Sequence, residues 1–174
     1  GLIFPLMSEP VVNADAGEED SAQKRKQDCE TKAFYRLAPR LAKHFPRLPL
    51  ALLMDGLYPT GPVFALCNKL GWKFLIGLSD DQLVSVNEEF HALVKMCPQN
   101  ACARDTGHNG SIHQEFVWAN DIAYQDAQKN PYTLDVVQCR ETKPGDEEAT
   151  TFRWVTNFHV TAANATRLAN NGGR

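Results

Sequence analysis

The sequence of 174 residues lacks the features that mark membrane and exported proteins. No apolar run approaches the roughly 20 residues that a membrane-spanning helix needs. The opening residues, Gly1 to Met7, are too short for a signal peptide and have no basic flank. We therefore expect a cytoplasmic protein with no membrane partner. The sequence also begins without Met, from which we expect either an excised segment or a piece of a longer protein.

Neither the cysteines nor the net charge indicates a disulfide framework or a basic protein. The five cysteines, an odd number, are scattered through a chain long enough to fold without disulfide bonds, so we expect reduced thiols. The net charge of −3 indicates that the chain as a whole is not a basic protein that binds nucleic acid. Basic residues nevertheless cluster after the acidic run that ends at Asp20. This basic face of a helix could contact phosphates, and the alternative is a solvated helix face. The candidate DNA contacts are Lys24, Arg25, Lys26, Arg36 and Arg40.

An uncharged stretch from Leu48 to Met54 runs directly into Asp55 and Gly56. An apolar run without alternation is typical of a strand that is covered on both faces, as in a parallel sheet. The carboxyl end of such a strand is where open α/β sheets place their chemistry. Asp55 is therefore a candidate site residue, and the alternative is that it only caps the helix that follows.

The remaining pattern predicts an α/β half followed by a β-rich segment. A helix from about Ser21 is interrupted by Pro39, which should kink or split it. Thr60 and Pro62 open a helix that Gly71 ends, and Asp80 and Asp81 are expected to cap another that runs to about Met96. The predicted strands are Leu2–Ser8, Leu48–Met54, Trp72–Leu78, Ser111–Trp118, Asp121–Tyr124, Thr133–Arg140 and Thr151–Val160. Loops are expected at 9–20 and 97–110, and a last helix at 162–170.

Two other groups of residues contain metal-ligand chemistry. Four possible zinc ligands are Cys97, Cys102, His108 and His113, but the spacing between the second Cys and the first His is far shorter than in a two-Cys, two-His finger. Ordinary loop residues are the alternative. Asp80 and Asp81 could join Asp55 in a metal site, because adjacent parallel strands end at the same edge; helix capping is the alternative.

A series of short motifs, taken in order, resembles bacterial insertion-sequence transposases of the DDE type, whose catalytic domain carries a β-strand insertion. The motifs are densest between Gln27 and Leu78, and the resemblance covers most of the chain. The motifs that carry the resemblance are Gln27 to Glu30, Lys32 to Phe34, Arg36 to Ala38, His44 to Pro49, Asp55 to Tyr58, Gly61 to Phe64, Gly71 to Phe74 and Phe152 to Asn157.

The resemblance implies a ribonuclease H-like fold in which three carboxylates hold two Mg²⁺ ions. These ions activate a water or a DNA 3′-hydroxyl for attack on a phosphodiester. Asp55 matches the family's second Asp, which makes it the implied catalytic and metal-binding residue. The family's first Asp would lie before Gly1 and its Glu after Arg174. We therefore expect the chain to be inactive alone.

The same resemblance implies a division of the chain and a DNA partner. Residues 1–96 would be a partial catalytic core, 97–150 the β-rich insertion, and 151–174 a return strand and the start of a helix. Trp118 and Trp154 could stack on an unpaired base, and packing is the alternative. Rival hypotheses are a non-catalytic remnant that binds DNA, itself or a full-length transposase, and a Mg²⁺-dependent phosphohydrolase. An exposed sheet edge would favour self-association.

Overall fold

A computed structural model describes residues 5–11 and 22–171, with only the backbone for 22–29. The chain divides into two compact units, Gly1–Pro49 and Leu50–Arg174. The division falls within the segment predicted as the partial catalytic core. Each unit is described separately below.

The first unit is built around helix α1, Ala22–His44. Lys43 and His44 in its last turn suit the negative end of the helix dipole. Pro39 lies inside the helix without splitting it, so only the expectation of a split is wrong. Residues 5–8 form no strand, contrary to the prediction; residues 2–4, like residues 12–20 of the predicted loop, lie outside the described residues.

The second unit contains a mixed sheet of six strands among its described residues. The strands are β1 (Ala51–Met54), β2 (Lys73–Gly77), β3 (Ala101–Thr106), β4 (Ile112–Gln125), β5 (Pro131–Thr142) and β6 (Thr150–Thr156). Their order across the sheet is β1-β2-β6-β5-β4-β3. The first pair is parallel and the others are antiparallel. The predicted α/β class with a mixed sheet is confirmed.

Helix α2 (Gly61–Leu70) connects the two parallel strands and confirms the predicted β-α-β unit. Pro62 lies in its first turn, where a missing N–H costs nothing. Gly71 ends the helix at a φ of 67°, the left-handed conformation that glycine adopts without strain. The Phe64 ring packs on Phe74 of β2, with the ring centroids 5.2 Å apart. This contact fixes α2 to one face of the sheet.

Helices α3 (Val84–Met96) and α4 (Ala165–Asn171) cover opposite faces of the sheet. Arg153 of β6 lies over the Phe90 ring of α3, whereas the next residue, Trp154, belongs to the core cluster that contains Leu168 of α4. Successive residues of a strand point to opposite faces, so the two helices do as well. The core cluster under α4 consists of Leu75, Phe116, Trp118, Val137, Cys139, Trp154, Val160, Ala165, Leu168 and Ala169.

Three predictions about this unit need correction. The predicted loop at 97–110 contains strand β3, which pairs with β4. The two short strands predicted at 111–118 and 121–124 are one strand, β4, with a bulge between Ala119 and Ile122 where Asp121 has a φ of 61°. Helix α3 begins at Val84, so Asp80 and Asp81 do not cap it. The predicted meander of antiparallel strands is confirmed.

Candidate active site

Asp55 follows the last residue of β1 at the edge of the sheet where both parallel strands end. The chain turns there, because Tyr58 N donates to the Asp55 carbonyl oxygen at 3.3 Å. Leu57 N donates to Asp55 Oδ1 at 2.9 Å, which holds one carboxylate oxygen against the backbone. The side chain is exposed. Asp55 therefore does not cap α2, whose first residue is Gly61 and whose N-cap is Thr60.

The turn that carries Asp55 packs closely against the end of β2. A Cβ placed on Gly77 would lie 3.4 Å from Gly56 N, so a side chain at this position would press on the turn. Gln82, from the loop after β2, donates from Nε2 to the Gly56 carbonyl oxygen. Backbone and side chain together fix the Asp55 turn to the neighbouring strand.

A groove of about 450 Å³ opens beside Asp55. Strands β1, β2 and β6 and the end of α4 contribute to its wall. Asp55 is the one ionisable side chain among the lining residues that the structure describes, and Asn171 adds an amide. The lining residues are Leu53, Met54, Asp55, Gly56, Gly77, Trp154 and Asn171. A carboxylate and an amide are oxygen ligands of the kind that Mg²⁺ prefers, but one carboxylate does not make a two-metal site.

Asp80 and Asp81 do not join Asp55. Arg153 Nη1 donates to Asp80 Oδ1 at 2.6 Å, and Ser79 Oγ donates to Asp81 Oδ1 at 2.5 Å. Both carboxylates are thus used to shape the loop after β2. The same bonds explain why neither residue caps α3. The Asp80 carboxylate accepts from Arg153 of β6 and the Asp81 carboxylate accepts from Ser79 in the loop, instead of from the N–H groups of the helix.

Arg153 is the centre of a hydrogen-bond network behind this loop. Its side chain is only 8% exposed and donates to Asp80, to Asn87 Oδ1 at 2.7 Å and to Gln138 Oε1 at 2.8 and 3.0 Å. Asn87 in turn donates to the carbonyl oxygens of Ser79 and Gln82, at 3.0 and 2.7 Å. The loop is therefore attached to both β6 and α3.

The basic residues predicted to contact DNA lie on α1. Arg36 Nε donates to Glu9 Oε1 at 2.7 Å, and Arg40 also pairs with Glu9. The hydrogen bond from Arg36, with the charges of both arginines, holds the pKa of Glu9 below its usual range although desolvation opposes it. A phosphate would have to compete with this carboxylate. For Lys24, Arg25 and Lys26 the backbone is helical and the side chains lie outside the described set.

Trp118 and Trp154 are buried, at 5% and 2% exposure, and both belong to the core cluster under α4. The Trp154 ring stacks on Phe152, with the ring centroids 6.1 Å apart. At this exposure neither ring is available to stack on a base, although Trp154 contributes to the wall of the Asp55 groove. The packing alternative therefore accounts for both side chains.

The predicted zinc ligands do not converge. His113 Nδ1 lies 2.7 Å from Asp105 Oδ1, while Cys102 is opposite Phe116 in the β3–β4 ladder. Cys97, Cys102, His108 and His113 form no cluster of ligand atoms within the described residues. Cys67, Cys97 and Cys102 form no disulfide bond, in agreement with the expected reduced thiols.

The structure brings together one group that the sequence did not reveal, Asp121, Asp135 and His159, whose ligand atoms lie within 4.8 Å of one another. Asp121 N, at the bulge of β4, donates to Asp135 Oδ1 at 2.7 Å. Burial raises the pKa of Asp135; the hydrogen bond from Asp121 N opposes this shift, and the nearby Asp121 charge adds to it. Asp135 is on β5, three strand spacings or ~14 Å from β1, so this group does not complete the Asp55 site.

Within the described residues, no helix combines the length and apolar character that crossing a membrane requires. A scan against protein-family models finds no match to the chain, and a search of curated proteins finds none either.

Proposed function

We propose that the chain is part of the catalytic domain of a DDE-type transposase and that Asp55 is one of its three metal-binding carboxylates. The observation that carries the proposal is the position of Asp55. It is exposed at the carboxyl end of a parallel strand, as the one ionisable group among the described residues that line a groove. Open α/β sheets place their chemistry at this end of the strands.

The order of the elements supports the proposal. The resemblance implies a β-α-β unit, then a β-rich insertion, then a helix that leads to the catalytic Glu. The unit β1-α2-β2 is followed by the antiparallel strands and then by α4. Asn171, the last described residue of α4, lines the same groove as Asp55.

The chemistry needs more carboxylates than this part of the protein supplies. Two Mg²⁺ ions, when bound, stabilise the attacking and leaving oxygens at the phosphodiester. Asp55 would hold a metal through the carboxylate oxygens, and the closely packed turn would keep the side chain in place. Because the other two carboxylates would lie outside residues 1–174, the isolated chain would not cut or join DNA.

The decisive experiment uses the complete reading frame that contains this sequence. Its product should cleave a plasmid that carries the DNA flanking the gene, in a reaction that requires Mg²⁺. Asp55→Asn should abolish cleavage, because an amide is a poor substitute for a charged metal ligand. Asp81→Asn is the matched control, since Asp81 is an exposed carboxylate in the adjacent loop that bonds to Ser79.

Two outcomes would contradict the proposal. In one, Asp55→Asn leaves cleavage intact in the complete protein. In the other, the isolated chain cuts DNA with Mg²⁺ and Asp55→Ala abolishes that activity, which would mean that these residues suffice for catalysis.

A second candidate function is that of a non-catalytic interaction remnant, and the open edge of β1 favours it. Within Leu50–Asn171, β1 pairs only with β2, and its side chain Leu53 is 56% exposed. An apolar strand edge without charge invites pairing with another strand. Light scattering tests the open edge: the chain should self-associate, and Leu53→Lys should restore the monomer. The cleavage assay on the complete protein distinguishes the two candidates, because an interaction remnant has no activity that requires Mg²⁺ and Asp55.

A further inference from the structure

Three side chains with metal-ligand chemistry, Asp121, Asp135 and His159, meet in the second unit, and none of them lines the Asp55 groove. Asp121 is on the bulge of β4, Asp135 is on β5, and His159 follows β6. One oxygen of each carboxylate and one nitrogen of the imidazole lie within 4.8 Å of one another. An imidazole with carboxylates is a ligand set of zinc and related divalent transition metals, whereas Mg²⁺ and Ca²⁺ prefer oxygen ligands.

Hydrogen bonds hold the backbone of these segments together. Asn120 donates from Nδ2 to the Val160 carbonyl oxygen at 2.9 Å, and its Oδ1 accepts from Val160 N at 2.9 Å. Asn164 Nδ2 donates to the His159 carbonyl oxygen at 2.9 Å. The segment that carries His159 is therefore fixed beside the bulge that carries Asp121. The Asp121 and His159 side chains are themselves exposed, so they can adjust to an ion while the strands stay paired.

Asp135 is a buried carboxylate with too few donors. It is 7% exposed, and its one hydrogen bond within the described residues comes from Asp121 N at 2.7 Å. Asp126, at 8% exposure, is buried to the same degree. It accepts four hydrogen bonds, from Gln128 N, from Asn130 N and Nδ2, and from Tyr132 Oη. A carboxylate at this burial is normally bonded by several donors or paired with a cation, and Asp135 has a single donor.

The pKa values of the two buried carboxyl groups differ in the same sense. The hydrogen bond from the Asn130 amide, with the other bonds to Asp126, holds the pKa of Asp126 below its usual range although desolvation opposes it. Burial raises the pKa of Asp135, although the hydrogen bond from Asp121 N opposes that shift. A divalent cation beside Asp135 would supply the compensation that Asp126 receives from its donors.

The described residues do not supply such a cation. The positive charge of Lys73 acts on Asp135, but the Lys73 ammonium group donates to the Asn157 carbonyl oxygen at 2.6 Å and lies 5.6 Å from the centre of the Phe158 ring. Asp135 forms no ion pair with any residue in the described part of the chain. The His159 ring has no hydrogen bond or ion pair to a described residue either, so its nitrogens are available to a metal.

We propose that Asp121, Asp135 and His159 form a binding site for one divalent transition-metal cation, with Zn²⁺ the best match to the ligand set. Three protein ligands leave the remaining position of a tetrahedral ion to water, as in open zinc sites. The ion would connect β4, β5 and the segment after β6. The inference is independent of the proposed function, because it uses no residue of the Asp55 groove.

Calorimetric titration of the full 174-residue chain with Zn²⁺, under reducing conditions without a chelating reductant, tests the inference without requiring activity. The unmodified chain should bind the ion. His159→Gln should weaken binding by at least about 100-fold, because loss of even an outer-sphere partner costs a metal site ~10–100-fold. Asp135→Asn should weaken it as well, since a neutral amide replaces the charged ligand. His159 is exposed, so His159→Gln should leave the fold intact.

His113→Gln is the matched control. His113 is also an exposed imidazole beside carboxylates, at 2.7 Å from Asp105 and 3.9 Å from Glu115, but neither of these carboxylates is buried. The control should leave the titration unchanged. Thermal melting with and without Zn²⁺ gives a second readout, because a ligand that binds only the folded state stabilises it. Zn²⁺ should raise the Tm of the unmodified chain and of His113→Gln, and it should not raise that of His159→Gln.

The outcomes are distinct. Loss of binding in His159→Gln with His113→Gln unchanged would support the site, and melting shows whether Asp135→Asn is folded enough to be counted beside it. An unchanged Zn²⁺ affinity in His159→Gln would overturn the inference. Loss of binding in His113→Gln would also overturn it, since the ion would then bind between β3 and β4. A chain that binds no Zn²⁺ before any substitution would overturn it directly.

Discussion

Strands β1 and β5 belong to one sheet and differ in nearly every property that determines stability. β5 has 12 residues, pairs on both sides and buries Leu134 to Val137. β1 has four residues, pairs with β2 alone among the described strands, and exposes Leu53. The candidate metal ligand therefore follows a short, partly exposed edge strand, while β5 lies inside the sheet and is largely buried. Local stability and candidate function are concentrated in different strands.

The largest expected effect comes from truncating a buried side chain in the antiparallel part of the sheet, compared with truncating an exposed one on β1. Phe116→Ala on β4 removes a ring that is fully buried in the core cluster, and it should lower the free energy of unfolding by ~3–5 kcal/mol. Leu53→Ala on β1 removes a mostly exposed side chain and should cost no more than ~0.5 kcal/mol. Urea denaturation of both variants measures the difference. Similar losses in the two would mean that β1 is as well supported as the centre of the sheet.

A smaller effect is expected where the two sides meet, at Gly61. A Cβ on Gly61 would lie 2.5 Å from Asp126 Oδ2, on the turn between β4 and β5. Asp126 cannot easily move, because it accepts hydrogen bonds from Gln128 N, from Asn130 N and Nδ2, and from Tyr132 Oη. Gly61→Ala should therefore cost ~1–3 kcal/mol by overpacking, measured by the same denaturation experiment.

The control for Gly61 is a double variant. In an Asp126→Gly background the added methyl group has no side chain to meet, so Gly61→Ala should cost much less there than in the unmodified chain. Such non-additivity is the mark of two groups in direct contact. Equal costs in both backgrounds would place the penalty in the helix backbone instead of at this contact.

The smallest effect is a difference in cysteine reactivity. Burial raises the pKa of Cys67 on α2 to about 11, against an ordinary 9.0, so its thiolate is ~100-fold less abundant than that of an ordinary thiol below pH 9. Alkylation must therefore await local opening. We expect the part of the sheet that contains β1 and β2 to unfold locally more readily than the part that contains β5. Cys67 should then react faster than the buried Cys139 of β5 and more slowly than the partly exposed Cys97. Peptide mapping by mass spectrometry measures all three rates, and Cys139 reacting first would reverse the comparison.

Local sequence signals predicted most elements of the second unit, although they missed β3 and divided β4, but they did not predict burial. Gly71 and Pro62 mark the ends of α2 correctly, because helix ends depend on backbone conformation at one or two residues. The Leu48 to Met54 run was expected to be buried on both faces, yet β1 is an edge strand with an alternating exposed pattern. Burial depends on which elements lie beside a strand, and apolar composition does not contain that information.

The site was predictable in part for the same reason. A carboxylate directly after an apolar strand marks Asp55, whereas Gln82 and Arg153 act through bonds to distant residues that no spacing reveals. Asp80 and Asp81 are residue types that commonly cap helices, but their carboxylates accept hydrogen bonds from Arg153 and Ser79 instead. Asp121 and Asp135 meet only because β4 bulges between Ala119 and Ile122.

The pairing of β2 with β6 has a consequence for the order in which the molecule assembles. Neighbouring strands from β3 to β6 are joined by short connections, so each pairing closes a small loop. Joining β2 to β6 instead brings together residues as far apart as Phe74 and Asn157, which are 83 positions apart. Loop-closure entropy delays contacts of that range. Because the Asp55 groove takes its wall from β1, β2, β6 and α4, we expect it to form in the last step of folding.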